Sequence, residues 1–182
     1  TQEWTELLGM QYSSQVTDLT TGSDGSIYIG GYTWGGGDVH DQTPNGGTSD
    51  AFIIKYNPDG TRVWTRLLGS TARDRGEALT TGSDGSIYIA GMTRGSFDGQ
   101  YFGGGFSDAF ISKFNPDGTK EWTSFLKTSE GDNAYALTTG SDGSIYIAGS
   151  TQGDLSTFDE TNAGKGDADG MHLFEDAFIS KY

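Results

Sequence analysis

Thr20-Thr21-Gly22-Ser23-Asp24-Gly25-Ser26-Ile27-Tyr28-Ile29-Gly30-Gly31 decides the fold, because the 182-residue chain uses this stretch three times. It returns at Thr80 to Gly91 and at Thr138 to Gly149, where only Gly30 changes, to Ala90 and Ala148. Each copy reads as the end of a strand, a tight Asp-Gly turn, and a strand in which Ile and Tyr alternate. Asp-Gly supplies the positive φ angles of a two-residue hairpin turn, so the stretch predicts a β-hairpin. A period of about sixty residues, built from strand-like pieces, predicts a β array rather than a helical solenoid.

Working outward, four pieces recur in fixed order. A Trp strand opens each repeat: Trp4 to Gly9, Trp64 to Gly69 and Trp122 to Leu126. A short strand ending in Leu-Thr-Thr-Gly follows at Val16 to Gly22, Glu77 to Gly82 and Tyr135 to Gly140. The Ile-Tyr-Ile strand then runs to Thr33, Thr93 and Thr151, and a loop of about 16, 14 and 24 residues leads to the fourth piece. That piece is Asp50 to Tyr56, repeated at Asp108 to Phe114 and Asp176 to Tyr182. Asn57-Pro58-Asp59-Gly60 and Asn115-Pro116-Asp117-Gly118 turn the chain back; Pro second and Gly fourth favour a type I turn leading into a bulge. No apolar pattern of helical period survives for three turns. Each unit therefore reads as a four-stranded antiparallel meander. Its two central strands are almost wholly apolar, as in a sheet covered on both faces. Such sheets stacked face to face are propeller blades.

The same order of pieces, "Trp strand, Leu-Thr-Thr-Gly, Asp-Gly-Ser-Ile-Tyr-Ile-Ala-Gly-x-Thr, long loop, Asp-Ala-Phe-Ile-x-Lys-Tyr-Asn-Pro-Asp-Gly", resembles the bacterial SBBP β-propeller repeat over essentially the whole chain. The departure is the longer loop from Gln152 to Glu175. The resemblance implies an all-β propeller of four-stranded blades, three per chain, and a secreted or cell-surface bacterial protein; it implies no catalytic residue. One domain over residues 1–182 is expected, with repeats at about 1–56, 57–114 and 115–182.

Composition fits this reading. Glycine is abundant (30) and proline scarce (3), while 4 Trp, 9 Tyr and 10 Phe argue against disorder. With 11 Lys plus Arg against 25 Asp plus Glu, the formal charge is −14. Phosphate backbones and anionic lipid would repel such a surface, so nucleic-acid and membrane partners are not expected. The chain has no cysteine, which excludes disulfides, thiolate metal sites and a Cys nucleophile.

The chain opens on a Trp strand and ends on the strand that should pair with it. In related propellers the Leu-Thr-Thr-Gly strand is innermost and the Trp strand outermost. The strand at residues 1–9 is thus expected to complete the last blade, in cis or in trans. Three blades are too few to close a ring. The expected assembly is a homodimer of two three-bladed halves; a higher homo-oligomer, an open strand-exchanged polymer and a fragment of a longer propeller are the rivals.

Several groups invite a chemical reading. Asp24, Asp84 and Asp142 sit in the Asp-Gly turns, where turn chemistry accounts for them. Asp50, Asp108 and Asp176 precede the Ala-Phe-Ile strands and are expected to bond nearby backbone N–H groups. In the third loop, Asp167-Ala168-Asp169-Gly170 with Glu175 resembles part of an oxygen-ligand calcium loop, although Glu175 falls at position nine rather than twelve. Asp167, Asp169 and Glu175 are the metal candidates, with calcium possible and no cofactor required. His40 and His172 are the only histidines, and with no Cys a catalytic zinc site is not expected. The long loops share one face and carry aromatics among short polar residues, the mixture that sugar binding uses. Trp34, His40, Phe97, Tyr101, Phe102 and Phe158 are the ligand candidates; the competing expectation is that these rings plug gaps between blades. The function expected is a non-catalytic extracellular scaffold or protein-interaction module. The alternatives are a lectin-like propeller using the long loops and a subunit of a strand-exchanged polymer.

Overall fold

The computed structural model describes residues 3–8, 13–35, 39–40, 42–153 and 175–182. Their regular structure is all β: β1 (Ser14–Thr21), β2 (Ile27–Trp34), β3 (Ser49–Tyr56), β4 (Arg62–Leu68), β5 (Asp74–Thr81), β6 (Ile87–Thr93), β7 (Asp108–Phe114), β8 (Lys120–Leu126), β9 (Asp132–Thr139), β10 (Ile145–Thr151) and β11 (Asp176–Lys181). Three antiparallel meanders result: β1-β2-β3-β4, β5-β6-β7-β8, and a three-stranded β9-β10-β11. No helix among the described residues is long and apolar enough to cross a membrane.

The expected four strands per blade hold for the first two sheets. The third sheet has three, because residues 3–8 form no ladder with any described strand. This segment lies against the first blade instead: Trp4 Nε1 donates to Pro58 O at 3.3 Å, and Leu8 packs beside Ile29, Phe52, Ile54 and Tyr56.

The first strands of the blades stand side by side, as innermost strands do. Thr17 Oγ1 on β1 donates to Gly76 O on β5 at 2.8 Å, and Leu79 N donates to Asp18 Oδ2 at 2.7 Å. Thr81 Oγ1 donates to Thr21 O, and Thr139 Oγ1 repeats that contact to Thr81 O. Each first strand carries a bulge opposite a glycine: a methyl on Gly31, Gly91 or Gly149 would fall on the carbonyl oxygen of Gln15, Arg75 or Asn133. That close approach requires glycine there.

The core is interblade. Tyr28, Ala51, Ile53, Trp64 and Leu68 of the first blade meet Leu79, Ile87, Ile89, Phe110 and Phe114 of the second. Tyr88, Ala109, Ile111 and Leu126 of the second meet Ala134, Ile145, Ile147 and Phe178 of the third. Both faces of the middle blade are covered, which explains its unbroken apolar strands.

The turns correct one expectation. Gly25 N bonds Gly22 O at 3.0 Å and Gly22 N bonds Ser26 O at 2.8 Å. Gly25 has φ 79°, whereas Asp24 is not among the positive-φ residues. The connection is a three-residue loop, a type I turn closed by a left-handed glycine, rather than a two-residue turn. Asp24 is held in place by accepting from Ser26 N (2.9 Å) and Ser26 Oγ (2.8 Å). Asn57-Pro58-Asp59-Gly60 behaves as expected, with Gly60 at φ 86° and a register shift at Lys55/Tyr56.

Candidate functional site

The meander topology sorts the connections onto two faces. The Ser-Asp-Gly and Asn-Pro-Asp-Gly turns share one. The long β2–β3 and β6–β7 loops share the other with the short connections between blades, and the two are bonded together: Thr48 N donates to Ala72 O at 2.9 Å, and Asp132 N to Ser107 O at 2.6 Å. A loop of one blade is thus shaped by the blade that follows.

On the turn face the acids are structural. Lys55 lies 3.8 Å from Asp24 and over the Tyr28 ring; Lys113 with Asp84 and Tyr88, and Lys181 with Asp142 and Tyr146, repeat the unit. Hydrogen bonds from Ser26 and Ser86 hold Asp24 and Asp84 below the usual carboxylate range, and Lys181 with Ser144 brings Asp142 down to about 2.

Beneath the loop face lies a buried acid row that sequence reading half found. Asp50 and Asp108 fix the loop exits as expected, accepting from Asn45 N (3.4 Å) and Gly103 N (2.6 Å). Their unpicked neighbours are Asp74 and Asp132. Asp74 accepts from Ser70 N at 2.6 Å, from Ser70 Oγ and from Thr93 Oγ1; Asp132 makes the same set with Thr128 and Thr151. The readable signal was an Asp four residues after Ser or Thr in two repeats. Burial raises all four carboxyls. Asp50 and Asp108 reach about 6, with Asp74 and Asp132 respectively adding like-charge repulsion.

The ligand candidates divide. Phe97 is buried between the first two blades against Phe110 and Phe125, so it is the gap-filling ring of the competing expectation. Val39 takes the corresponding place under the β2–β3 loop. Tyr101 is 77% exposed, and Phe102 and His40 are half-buried. Trp34 is half-buried, edge-on to Tyr32 at 4.8 Å. Phe158, Asp167, Asp169 and His172 lie outside the described residues. Glu175 is exposed and accepts from Gln152 Nε2 at 3.2 Å. Among the described residues no group of three His, Cys, Asp or Glu is placed to hold a metal ion.

Two arginines were missed. The Arg75 guanidinium lies 4.3 Å from the Tyr32 ring centre and 5.9 Å from that of Trp34; Arg94 lies 3.7 Å from that of Phe106, which is 65% exposed. Nε of each is buried without an acceptor, and the ion pairs among the described residues all use lysines. A guanidinium stacked on a ring can also take a carboxylate or another oxygen acceptor at its terminal nitrogens.

Comparison with known proteins supports the fold. The family model described as "Domain of unknown function (DUF5122) beta-propeller" matches residues 22–62, the first Asp-Gly turn through the start of β4. Regulatory protein FlaEY of Caulobacter vibrioides is 32% identical over 153 residues, covering 78% of this chain and 16% of that protein. An uncharacterised WD repeat-containing protein of Acanthamoeba polyphaga mimivirus is 23% identical over 152 residues, covering 75% of this chain and 11% of its own. The chain spans a sixth or less of the length of these relatives. The chain is thus an all-β repeat protein whose antiparallel sheets are those of a β-propeller.

Proposed function

We propose that this chain is a non-catalytic protein-interaction module, built from SBBP-type propeller repeats and acting outside a bacterial cell, whose contact surface is the loop face. The pair of ring-stacked arginines carries the reading. In a chain of charge −14, Lys55, Lys113 and Lys181 are paired with turn-face aspartates, whereas Arg75 and Arg94 are half-buried on aromatic rings, with Glu77 near Arg75. Such a pair selects an acidic segment of a partner protein, with Tyr101 and Phe106 supplying apolar contact beside it. The relatives named as regulatory and WD repeat-containing proteins are in keeping with an interaction role.

Titration calorimetry with a glutamate-rich peptide tests this. Saturable binding, weakened at least tenfold by Arg75→Gln with Arg94→Gln, is expected. No binding, or binding indifferent to the double variant, sinks the reading. A lectin-like use of the same face is the second reading, supported by half-exposed Trp34 against Tyr32. Glycan-array binding lost on Trp34→Ala would select it.

A further inference from the structure

We propose that the joint between the first two blades, where Asp50 meets Asp74 beneath the loop face, is a calcium site with Asp50 Oδ2 and Thr33 Oγ1 among its ligands. The fold brings these groups together from three strands. Ser49 and Arg73 form a parallel bridge, so the next residues, Asp50 and Asp74, stand side by side across the joint. Thr33 lies directly opposite Asp50 in the β2–β3 ladder, and opposite residues of an antiparallel pair share a face. Thr33, Asp50 and Asp74 are at most 2% exposed.

Hydrogen bonding leaves the cluster unfinished. Asp74 is well supplied, accepting from Ser70 N, Ser70 Oγ and Thr93 Oγ1. Asp50 has one long bond, from Asn45 N to Oδ1 at 3.4 Å, and its Oδ2 is buried without a donor. Thr33 Oγ1 is also buried without a partner. Its counterparts Thr93 and Thr151 donate to Asp74 and Asp132, whereas the residue facing Thr33 on β1 is Ser14. An unpaired carboxylate oxygen buried beside a second carboxylate is costly, and a cation between them offsets both the lost hydration and the repulsion.

The joint between the second and third blades is the internal comparison. Asp108 and Asp132 take the same places there, with Asp132 N bonded to Ser107 O. Asp108 Oδ1 has no donor either, but its Oδ2 accepts a short bond from Gly103 N (2.6 Å), and Lys127 brings a positive charge to it. Lys127 follows Leu126 as Gly69 follows Leu68, so at the first joint a glycine stands in place of that lysine. Arg73 precedes Asp74, and successive side chains of an extended chain leave it on opposite sides. The donor set names the ion. Carboxylate and hydroxyl oxygens without nitrogen or sulfur suit a hard cation rather than zinc or copper. Magnesium gives up its water reluctantly, whereas calcium accepts an irregular shell, here completed by loop carbonyls and water. So few carboxylates give an affinity of about 10⁻⁴–10⁻³ M, the range of extracellular modules. Bound there, calcium ties the exit of the β2–β3 loop to the following blade and so sets the order of the loop face. The site uses none of Asp167, Asp169 and Glu175 and does not depend on the acidic partner.

Thermal melts at pH 7.5 test the site. Replacing chelator with about 5 mM calcium chloride should raise the melting temperature by about 3–6 °C, and magnesium at the same concentration by less than half of that. Asp50→Asn keeps an acceptor for Asn45 N, so it should melt no lower than the wild type in chelator yet lose the calcium shift. Thr33→Val removes only the hydroxyl and should shrink the shift. Asp108→Asn, and separately Asp167→Asn with Asp169→Asn, should keep it, which sets this joint apart from the second joint and from the third loop. No shift, an equal shift with magnesium, a shift that survives Asp50→Asn, or one lost in the Asp108 or Asp167/Asp169 variants would each overturn the site.

Discussion

The turn face and the loop face are built from the same described strands yet use their acids in opposite ways. On the turn face, Asp24, Asp84 and Asp142 each bond the serine two residues on and pair with a lysine. Almost all of that chemistry closes within one blade, so it repeats nearly letter for letter. On the loop face, Asp50, Asp74, Asp108 and Asp132 are wholly buried, and the loops above them bond to the following blade. There the blades differ: Trp34, Arg94 and Gln152 follow the equivalent strands, and Gln15, Arg75 and Asn133 stand at one inner-strand position. A self-contained turn can be copied unchanged, whereas a surface assembled from two blades can be varied one side at a time. Variation of that kind is what a contact surface on the loop face, as proposed, would use.

The sharpest contrast is between one buried and one exposed acid of the middle blade. Asp74→Ala removes the acceptor of Ser70 N, Ser70 Oγ and Thr93 Oγ1 at a fully buried site, and should cost about 3 kcal/mol in urea unfolding. Asp84→Ala removes bonds from Ser86 that water can replace, and should cost about 1 kcal/mol. Equal losses would erase the distinction between the faces.

The pH dependence separates them by sign. Turn-face carboxyls, including Asp59 and Asp117 beside Thr61 and Thr119, titrate low. Their stabilisation is present above the unfolded value of about 3.9 and is lost as pH falls through their native values. Asp50 and Asp108 titrate high, at about 6, chiefly through burial. Between roughly pH 4 and 6 the native state keeps protons that the unfolded chain has released; that stabilisation is whole below pH 4 and lost as pH rises through 6. Asp50→Asn with Asp108→Asn keeps an acceptor for each loop N–H and removes the buried charge. It should stabilise by about 1–2 kcal/mol at pH 7.5 and leave pH 4.5 almost unchanged, as read from thermal melts. A gain equal at both pH values would show that charge burial is not the cause.

What the sequence made legible follows the same division. Strand order and turn positions could be read because Asp-Gly, Asn-Pro-Asp-Gly and the apolar strands are local signals repeated three times. The one turn detail misread, two residues rather than three, hinged on whether Asp24 or only Gly25 takes positive φ, which the serine bonds decide. The inner strands begin earlier than expected, at Ser14, Asp74 and Asp132, because their first residues are polar and paired across bulges. At the loop face, local reading failed where a side chain's partner is set by how loop and sheet fold together, within one blade for Phe97 and Arg94 and across two for Arg75. Phe97 looks like a surface ring by composition and is core by contact. Arg75 and Arg94 carry no motif, and only the fold lays them on Tyr32 and Phe106.

The smallest expected effect tests whether the loop face is built for binding or for folding. Tyr101 is 77% exposed, and its one described bond is through its backbone carbonyl, which accepts from Lys127 Nζ. Tyr101→Ser keeps that carbonyl, so the melting temperature should stay within about 1 °C, a stability change under ~0.5 kcal/mol. Affinity for the glutamate-rich peptide should nevertheless fall two- to fivefold if this exposed ring on the same loop face adds apolar contact without supplying charge. A variant that melts early with affinity intact would place Tyr101 in the fold instead. The loop face would then owe its aromatics, like Phe97, to packing between blades.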